Sequence, residues 1–143
     1  MKHILLLLLL TSCSQMQDIF YSQKAAQHHL YFKEEFLDLK TPKQISKYIS
    51  QHLECSLEKD DIATWSDPKQ TLELGYGTCA DISLLYINIL YYSTGTEASL
   101  VLVDLNSTLS HAAVEVDGVQ LEPQTGELSN YTKRFTYTFQ QIF

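Results

Sequence analysis

The stretch Gly75-Tyr76-Gly77-Thr78-Cys79-Ala80-Asp81, with the apolar run to Tyr92 that follows it, decides the fold. The glycines interrupt regular structure, and apolar residues then recur at helical spacing. These residues are Ile82, Leu85, Tyr86, Ile89 and Leu90, with Leu84 and Ile87 beside them. Because a helix that is apolar around most of its circumference is buried, the sequence predicts a buried central helix from Cys79 to Tyr92.

The residues after this helix predict a small antiparallel sheet. Ser93-Thr94-Gly95 ends the helix, and apolar and β-branched residues then recur in short segments. The predicted strands are Ala98–Leu105, Ser110–Val116, Val119–Leu121 and Arg134–Phe139. Asp117-Gly118 predicts a two-residue hairpin turn, since both central positions of that turn need positive φ.

The residues before the central helix predict a second helix and a loop. Thr41 is a suitable N-cap and Pro42 suits the first helical position, so a helix is expected from Pro42 to Glu54. The polar stretch from Cys55 to Thr71 reads as a loop, in which Trp65 is a packing anchor. Helices first and antiparallel strands afterwards predict an α+β domain, with the central helix packed on the sheet.

The hairpin register predicts which strand residues share a face. A turn at Asp117-Gly118 pairs Val114 with Leu121, and further out Ala113 with Glu122 and His111 with Gln124. One face carries Ala112, Val114, Val116, Val119 and Leu121; the other carries His111, Ala113, Glu115, Gln120, Glu122 and Gln124. The first face is the expected core surface, and diagonal neighbours on the second lie about 7–8 Å apart. His111 can therefore meet Glu122, with Gln124 as a neutral alternative partner.

Cys79, His111 and Glu122 are the candidate catalytic residues. A cysteine at a helix start lies beside unpaired backbone N–H groups and the positive end of the helix dipole, and both stabilise a thiolate. Thr78 and Asp81 are expected to cap the helix reciprocally. His111 would act as the base and Glu122 would orient it, while the N–H groups at the helix start could form an oxyanion hole.

Four blocks of the sequence, taken together and in order, resemble the transglutaminase-like superfamily, a papain-like fold. They are Trp65-Ser66-Asp67-Pro68, Gly75 to Asp81, His111-Ala112-Ala113-Val114-Glu115-Val116, and Leu121 to Gly126. The resemblance implies the same roles for Cys79, His111 and Glu122. Glu122 departs from the family's usual aspartate, and its additional methylene moves the carboxylate by about 1.5 Å.

This resemblance implies a thiol enzyme that acts on amide bonds of a peptide or protein substrate, as a cysteine protease, amidase or acyl transferase. The alternative is a non-catalytic module of the same fold that binds a peptide or an envelope partner. A third reading is a structural lipoprotein in which Cys55 and Cys79 form a disulfide, because exported proteins live where disulfides persist.

The N-terminus predicts a lipid anchor. Met1-Lys2-His3 is a short positive start, and Ile4 to Leu10 is an apolar run too short to span a bilayer. Leu10-Thr11-Ser12-Cys13 resembles the lipobox of bacterial lipoproteins, in which the cysteine receives lipid; an ordinary signal peptide with an incidental cysteine is the alternative. We therefore expect a signal peptide over 1–12, an anchored spacer and helix over 13–40, and a transglutaminase-like domain over 41–143. Ser14 after the anchor favours a periplasm-facing position at the outer membrane.

Composition argues against other classes of protein. A formal net charge of −7, with basic residues scattered along the chain, disfavours nucleic acid as a partner. Because the chain also lacks a cluster of basic residues that could bind anionic lipids, we expect its membrane attachment to come from the covalent lipid. The histidines lack cysteines and carboxylates at ligand spacing, so neither a metal nor a cofactor is expected.

Overall fold

A computed structural model describes residues 28–56, 65–106 and 110–143 of the 143-residue chain. Cys13 and the predicted signal peptide lie outside the described residues. The helices are α1 (Pro42–His52), α2 (Pro68–Leu74), α3 (Cys79–Thr94) and α4 (Phe139–Ile142), with a 3-10 helix at Glu34–Asp38. The strands are β1 (Glu54–Cys55), β2 (Tyr76–Gly77), β3 (Ser99–Asp104), β4 (Ser110–Val116), β5 (Val119–Leu121), β6 (Leu128–Ser129) and β7 (Lys133–Tyr137).

The protein is an α+β domain, as the sequence predicts. In the described residues, five strands form one antiparallel sheet in the order β6-β5-β4-β3-β7. The predicted hairpin register is confirmed, because Val114 pairs with Leu121 and Val116 with Val119. Asp117 and Gly118 both have positive φ, at 50° and 79°, as the two-residue turn requires.

The central helix α3 begins at Cys79, as predicted, and extends two residues further than expected, to Thr94. It packs against the sheet and against α1, α2 and the 3-10 helix. Thirteen of its sixteen residues are buried, because its apolar residues cover most of the circumference. Gly95 then ends the helix in the left-handed conformation, at φ 76°.

Several other predicted boundaries are wrong, among them both ends of β3, which covers Ser99–Asp104 and not Ala98–Leu105. The stretch predicted as a loop from Cys55 to Thr71 contains the start of α2, in which Pro68 takes the first helical position. Helix α1 ends at His52 and not at Glu54, since Glu54 and Cys55 form a parallel pair with Tyr76 and Gly77. Strand β7 ends at Tyr137, because Thr138 caps α4 and Phe139 is helical.

Residues 28–40 pack on the domain. Phe36 is fully buried in the main core. The Asn88 side chain accepts a hydrogen bond from the Tyr31 N–H and donates one to the Tyr31 carbonyl, each at 2.8 Å. The Lys40 ammonium donates to the carbonyl of Ser93 at 2.7 Å. This part of the expected spacer therefore contributes directly to the packing around α3.

Burial of the β4–β5 hairpin differs from the prediction that one face is core and the other is not. Ala112, Val114 and Leu121 lie in the main core, but Val119 is 47% exposed near the turn. On the opposite face Ala113 is fully buried with Val101 and Val103 in a second small cluster. The chain passes over this second face, on which Gln120 and His111 contact Tyr131, on its way between the two edge strands, β6 and β7. We call residues 130–132 the crossing segment.

Among the described residues, no helix combines the length and apolar character that crossing a membrane requires.

Candidate active site

The helix start at Cys79 is held by a reciprocal cap. The Thr78 hydroxyl accepts from the N–H of Asp81 at 3.2 Å, and the Asp81 carboxylate accepts from the N–H of Thr78 at 3.0 Å. The other carboxylate oxygen of Asp81 accepts from the N–H of Ser66 at 2.8 Å. The predicted cap is therefore confirmed, and the same carboxylate also fastens the loop at Ser66 to the helix.

Gly77 allows this close packing in front of Cys79. A Cβ at this position would lie 2.9 Å from the Cβ of Asp81 and 3.2 Å from Cγ2 of Thr71. Real side chains do not approach so closely without displacing their neighbours. The glycine is therefore required by the contact between β2 and the first turn of α3.

The Cys79 sulfur lies against the backbone of β4. The N–H of Ala112 donates to Sγ at 3.3 Å, and Cys79 is 7% exposed. Strand β4 pairs with β5 only as far as Val114 and Leu121. The Cys79 sulfur therefore bonds the N–H of Ala112 at a point where β4 has no partner residue in β5. An N–H donor together with the helix N-terminus favours negative charge on the sulfur.

His111 and Glu122 are brought together as predicted. His111 Nε2 lies 2.9 Å and 3.1 Å from the two carboxylate oxygens of Glu122. The side chains are 16% and 18% exposed, so the pair is largely shielded from water. Because a carboxylate only accepts hydrogen bonds, Nε2 carries a proton, and Nδ1 is the basic nitrogen of the neutral ring.

The chain turns away from β4 directly after β5, and this turn positions Glu122. The N–H of Gly126 donates to the Glu122 carbonyl at 2.7 Å, and the N–H of Glu122 donates to the Glu127 carbonyl at 2.8 Å. The expected strand pairs of Ala113 with Glu122 and of His111 with Gln124 therefore do not form. Glu122 reaches the imidazole from the turn and not from a continued strand.

Tyr131 is a site residue that sequence reasoning missed. Its ring meets the His111 imidazole edge to face, with centroids 5.9 Å apart and planes at 81°. The negative charge of Glu122 raises the pKa of the Tyr131 hydroxyl, with smaller contributions from burial and from hydrogen bonding to the same carboxylate. Tyr131 lies nine residues beyond Glu122 in an irregular segment, so no spacing rule connects it with the site.

Gln120 holds Tyr131 in place through its side-chain amide. The amide oxygen accepts from the N–H of Tyr131 at 3.0 Å and from the Ser129 hydroxyl at 3.3 Å. The amide nitrogen donates to the carbonyl of Tyr131 at 2.8 Å. Gln120, which is 8% exposed, thus binds both backbone polar groups of Tyr131 in the way that a neighbouring strand would.

The two described cysteines do not form a disulfide, so the predicted structural alternative of a Cys55–Cys79 bridge is wrong. Cys55 is exposed, whereas Cys79 is buried. The parallel pairing of β1 with β2 places Cys55 opposite Gly77, near the start of α3.

Trp65 is buried and meets Tyr137 edge to face at 5.7 Å, which confirms it as a packing anchor.

Other histidines of the described chain have structural contacts. His28 is 7% exposed, and its Nε2 bonds the carbonyl of Trp65 at 3.3 Å. His52 Nδ1 bonds the carbonyl of Tyr48 at 2.7 Å. Across residues 28–56, 65–106 and 110–143, no three His, Cys, Asp or Glu side chains converge in a way that could hold a metal ion.

A cavity of about 590 Å³ lies beside the crossing segment. Its lining includes Val119, Leu128 and Tyr131. None of the three predicted catalytic residues lines it. Tyr131 therefore lines this cavity and also contacts His111.

A comparison with protein-family models found no match for this chain. A comparison with curated proteins likewise found no match.

Proposed function

We propose that this chain is a transglutaminase-like thiol enzyme that acts on amide bonds of a peptide or protein substrate. One observation carries the proposal: Glu122 binds Nε2 of His111, while the backbone of the next residue, Ala112, contacts the sulfur of Cys79. A nucleophile, a base and a group that orients the base thus belong to one connected set. The carboxylate also fixes the ring tautomer, which leaves Nδ1 of His111 as the nitrogen that would accept the thiol proton.

The reaction would proceed through an acyl-enzyme. Cys79 transfers its thiol proton to Nδ1 of His111, and the sulfur attacks the amide carbonyl carbon to give a tetrahedral intermediate. The C–N bond breaks as the imidazolium returns the proton to the leaving amine, which leaves a thioester on Cys79. Water then attacks the thioester, with His111 accepting its proton, and releases the acid and the thiol; an amine in place of water would give acyl transfer.

The start of α3 supports this chemistry electrostatically. The negative oxygen of the tetrahedral intermediate would form close to the N-terminus of a sixteen-residue helix. Backbone N–H groups at such a terminus, including that of Cys79, are suited to stabilise an oxyanion. Thr78 and Asp81 hold this terminus rigid, so its dipoles need no reorganisation during the reaction.

Cys55 provides an internal reference for testing the thiol. An unactivated thiol that is 7% exposed should react with iodoacetamide more slowly than the exposed Cys55. We expect the opposite order: at neutral pH Cys79 is carbamidomethylated faster than Cys55, as measured by peptide mass spectrometry over time. His111→Ala should slow labelling of Cys79 and leave the rate at Cys55 unchanged.

Labelling of Cys79 no faster than Cys55 in the folded wild-type protein would overturn the proposed nucleophile. Turnover of generic peptide amides gives a second measurement, with Cys79→Ala as the control. Hydrolysis by the wild type that is lost in Cys79→Ala supports the enzyme. Equal residual activity in both proteins opposes it.

The second candidate is a non-catalytic module that binds a peptide or an envelope partner. The cavity beside the crossing segment favours it, because the cavity lies apart from the three predicted catalytic residues. Its volume of about 590 Å³ is in the range of ligand sites, which is about 300–1,000 Å³. Slow labelling of Cys79, combined with peptide binding that survives Cys79→Ala, would favour this reading.

We also propose that the chain is tethered to the bacterial envelope through a lipid on Cys13, facing the periplasm from the outer membrane. The support is the order of charge, apolar run and cysteine in residues 1–13. Expression with an alkyne-labelled palmitate should label the wild-type protein and should fail to label Cys13→Ala. Equal labelling of both proteins would contradict the anchor.

A further inference from the structure

We propose that Tyr131 is a positioning residue of the His111–Glu122 pair, and that the Gln120 side chain holds it there as a clamp on the crossing segment. The ring of Tyr131 lies against the imidazole edge to face and thereby fixes the plane in which Nε2 meets Glu122. This inference deepens the proposed function, on which its kinetic part rests.

The first observation is the geometry of the two rings. Centroids 5.9 Å apart with planes at 81° are within the range of a favourable edge-to-face pair, which contributes about 0.5–1.5 kcal/mol beyond burial. The Tyr131 ring adds to the restriction that Glu122 places on rotation of the imidazole, because turning the imidazole would break the aromatic contact.

The second observation is the clamp itself. The crossing segment belongs to no strand, yet both backbone polar groups of Tyr131 are bonded by Gln120 at 2.8 and 3.0 Å. The side-chain hydrogen bonds of Gln120 within the described residues go to Ser129 and Tyr131. A buried amide satisfied in this way is costly to disturb, because each bond lost leaves a polar atom unpaired.

The third observation is the contact of Tyr131 with the acid. Glu122 raises the pKa of the Tyr131 hydroxyl chiefly by its charge, so the hydroxyl stays protonated beside the carboxylate and can donate to it. Tyr131 is 36% exposed, so one side of the ring faces solvent while the other meets the pair. The Tyr131 side chain therefore interacts with both members of the His111–Glu122 pair.

The kinetic test measures, in each folded variant, the ratio of the iodoacetamide labelling rate at Cys79 to that at Cys55. Tyr131→Phe keeps the ring and should retain this ratio to within about threefold. Tyr131→Ala and Gln120→Leu should lower it by about tenfold, which is the scale of one lost aromatic or hydrogen-bond contact. Phe32→Ala is the matched control, because Phe32 is a half-exposed aromatic that packs on Tyr92 and not on His111. Thermal unfolding of each variant confirms that the folded protein is compared.

A spectroscopic readout separates this inference from the proposed enzyme. In the ¹⁵N spectrum of the imidazole, we expect the Nε2-protonated ring of His111 to give one sharp set of signals in the wild type and in Tyr131→Phe. Tyr131→Ala and Gln120→Leu should shift or broaden those signals. If wild-type Cys79 is not activated but the His111 signals still respond, the proposed enzyme fails and the positioning role stands. Unchanged His111 signals in Tyr131→Ala, or rescue of neither readout by Tyr131→Phe, would overturn the positioning role.

Discussion

Replacing Glu122 with glutamine keeps the shape of the side chain and removes the negative charge that faces His111. In the proposed reaction the imidazole becomes positive when it accepts the thiol proton of Cys79, and the carboxylate stabilises that charge. The amide of glutamine can still accept one hydrogen bond from Nε2. Glu122→Gln therefore isolates the contribution of the charge from that of the contact.

The structure sets the size of the expected effect. The two contacts of 2.9 and 3.1 Å belong to side chains that are 16% and 18% exposed, so solvent screens them only in part. A hydrogen bond to a charged group contributes about 1.5–3 kcal/mol and a neutral one about 0.5–1.5 kcal/mol, so the substitution removes roughly 1–1.5 kcal/mol. Because about 1.4 kcal/mol corresponds to a factor of ten, labelling of Cys79 should slow roughly tenfold.

The assay is the time course of iodoacetamide labelling at neutral pH, read separately at Cys79 and at the exposed Cys55. Glu73→Gln is the matched control, since Glu73 pairs with Lys69 on the surface at 3.8 Å and touches no candidate residue. Glu122→Asp keeps the charge but withdraws it by about 1.5 Å, and should slow Cys79 to a similar extent. A Cys79 rate in Glu122→Gln within twofold of the wild type, with the fold intact, would refute this account of the pair.

Two further predictions concern the stability of the fold. Burial raises the pKa of Tyr86 to about 12, and its hydroxyl has no hydrogen-bond partner among the described residues. Removing this unpaired hydroxyl in Tyr86→Phe should raise the free energy of unfolding by about 1 kcal/mol at pH 8. Because the folded pKa is raised, the wild-type protein keeps its full stability below about pH 10 and loses stability as the pH rises from there towards 12. The advantage of Tyr86→Phe should therefore grow by about 1.4 kcal/mol at pH 11. Urea unfolding at the two pH values measures this, with the half-exposed Tyr76→Phe as control, and an advantage that does not grow would contradict it. Gly77→Ala should destabilise by about 1–3 kcal/mol in the same assay, because its Cβ would lie 2.9 Å from that of Asp81; an unchanged midpoint would show that the contact relaxes freely.

The features that the sequence predicts well have local causes. Thr41 and Pro42 begin α1 through a capping box and a preset φ, both of which involve neighbouring residues. Asp117-Gly118 fixes the register of β4 with β5 for the same reason. That register was sufficient to predict the meeting of His111 with Glu122, although the strand itself ends one residue before Glu122.

The features that sequence reasoning missed depend on contacts between distant segments. Helix α2 has only Pro68 and Thr71 buried, so it lacks the apolar periodicity that identifies a helix, and Asp67-Pro68 reads equally well as a turn. The pairing of β1 with β2 joins residues more than twenty positions apart and involves only two residues of each strand. The position of Tyr131 follows from β6 and β7 lying at opposite edges of the sheet, which no local pattern specifies.

The carboxylate of Asp81 has a consequence for the rigidity of the proposed site. Its two oxygens bind the N–H groups of Thr78 and Ser66, and Trp65 beside Ser66 is packed against Tyr137 in the edge strand. One buried acid thus connects the start of α3, the loop at Ser66 and, through Trp65, the edge strand β7. In the proposed enzyme, the position of Cys79 therefore depends on the same carboxylate that fixes this loop.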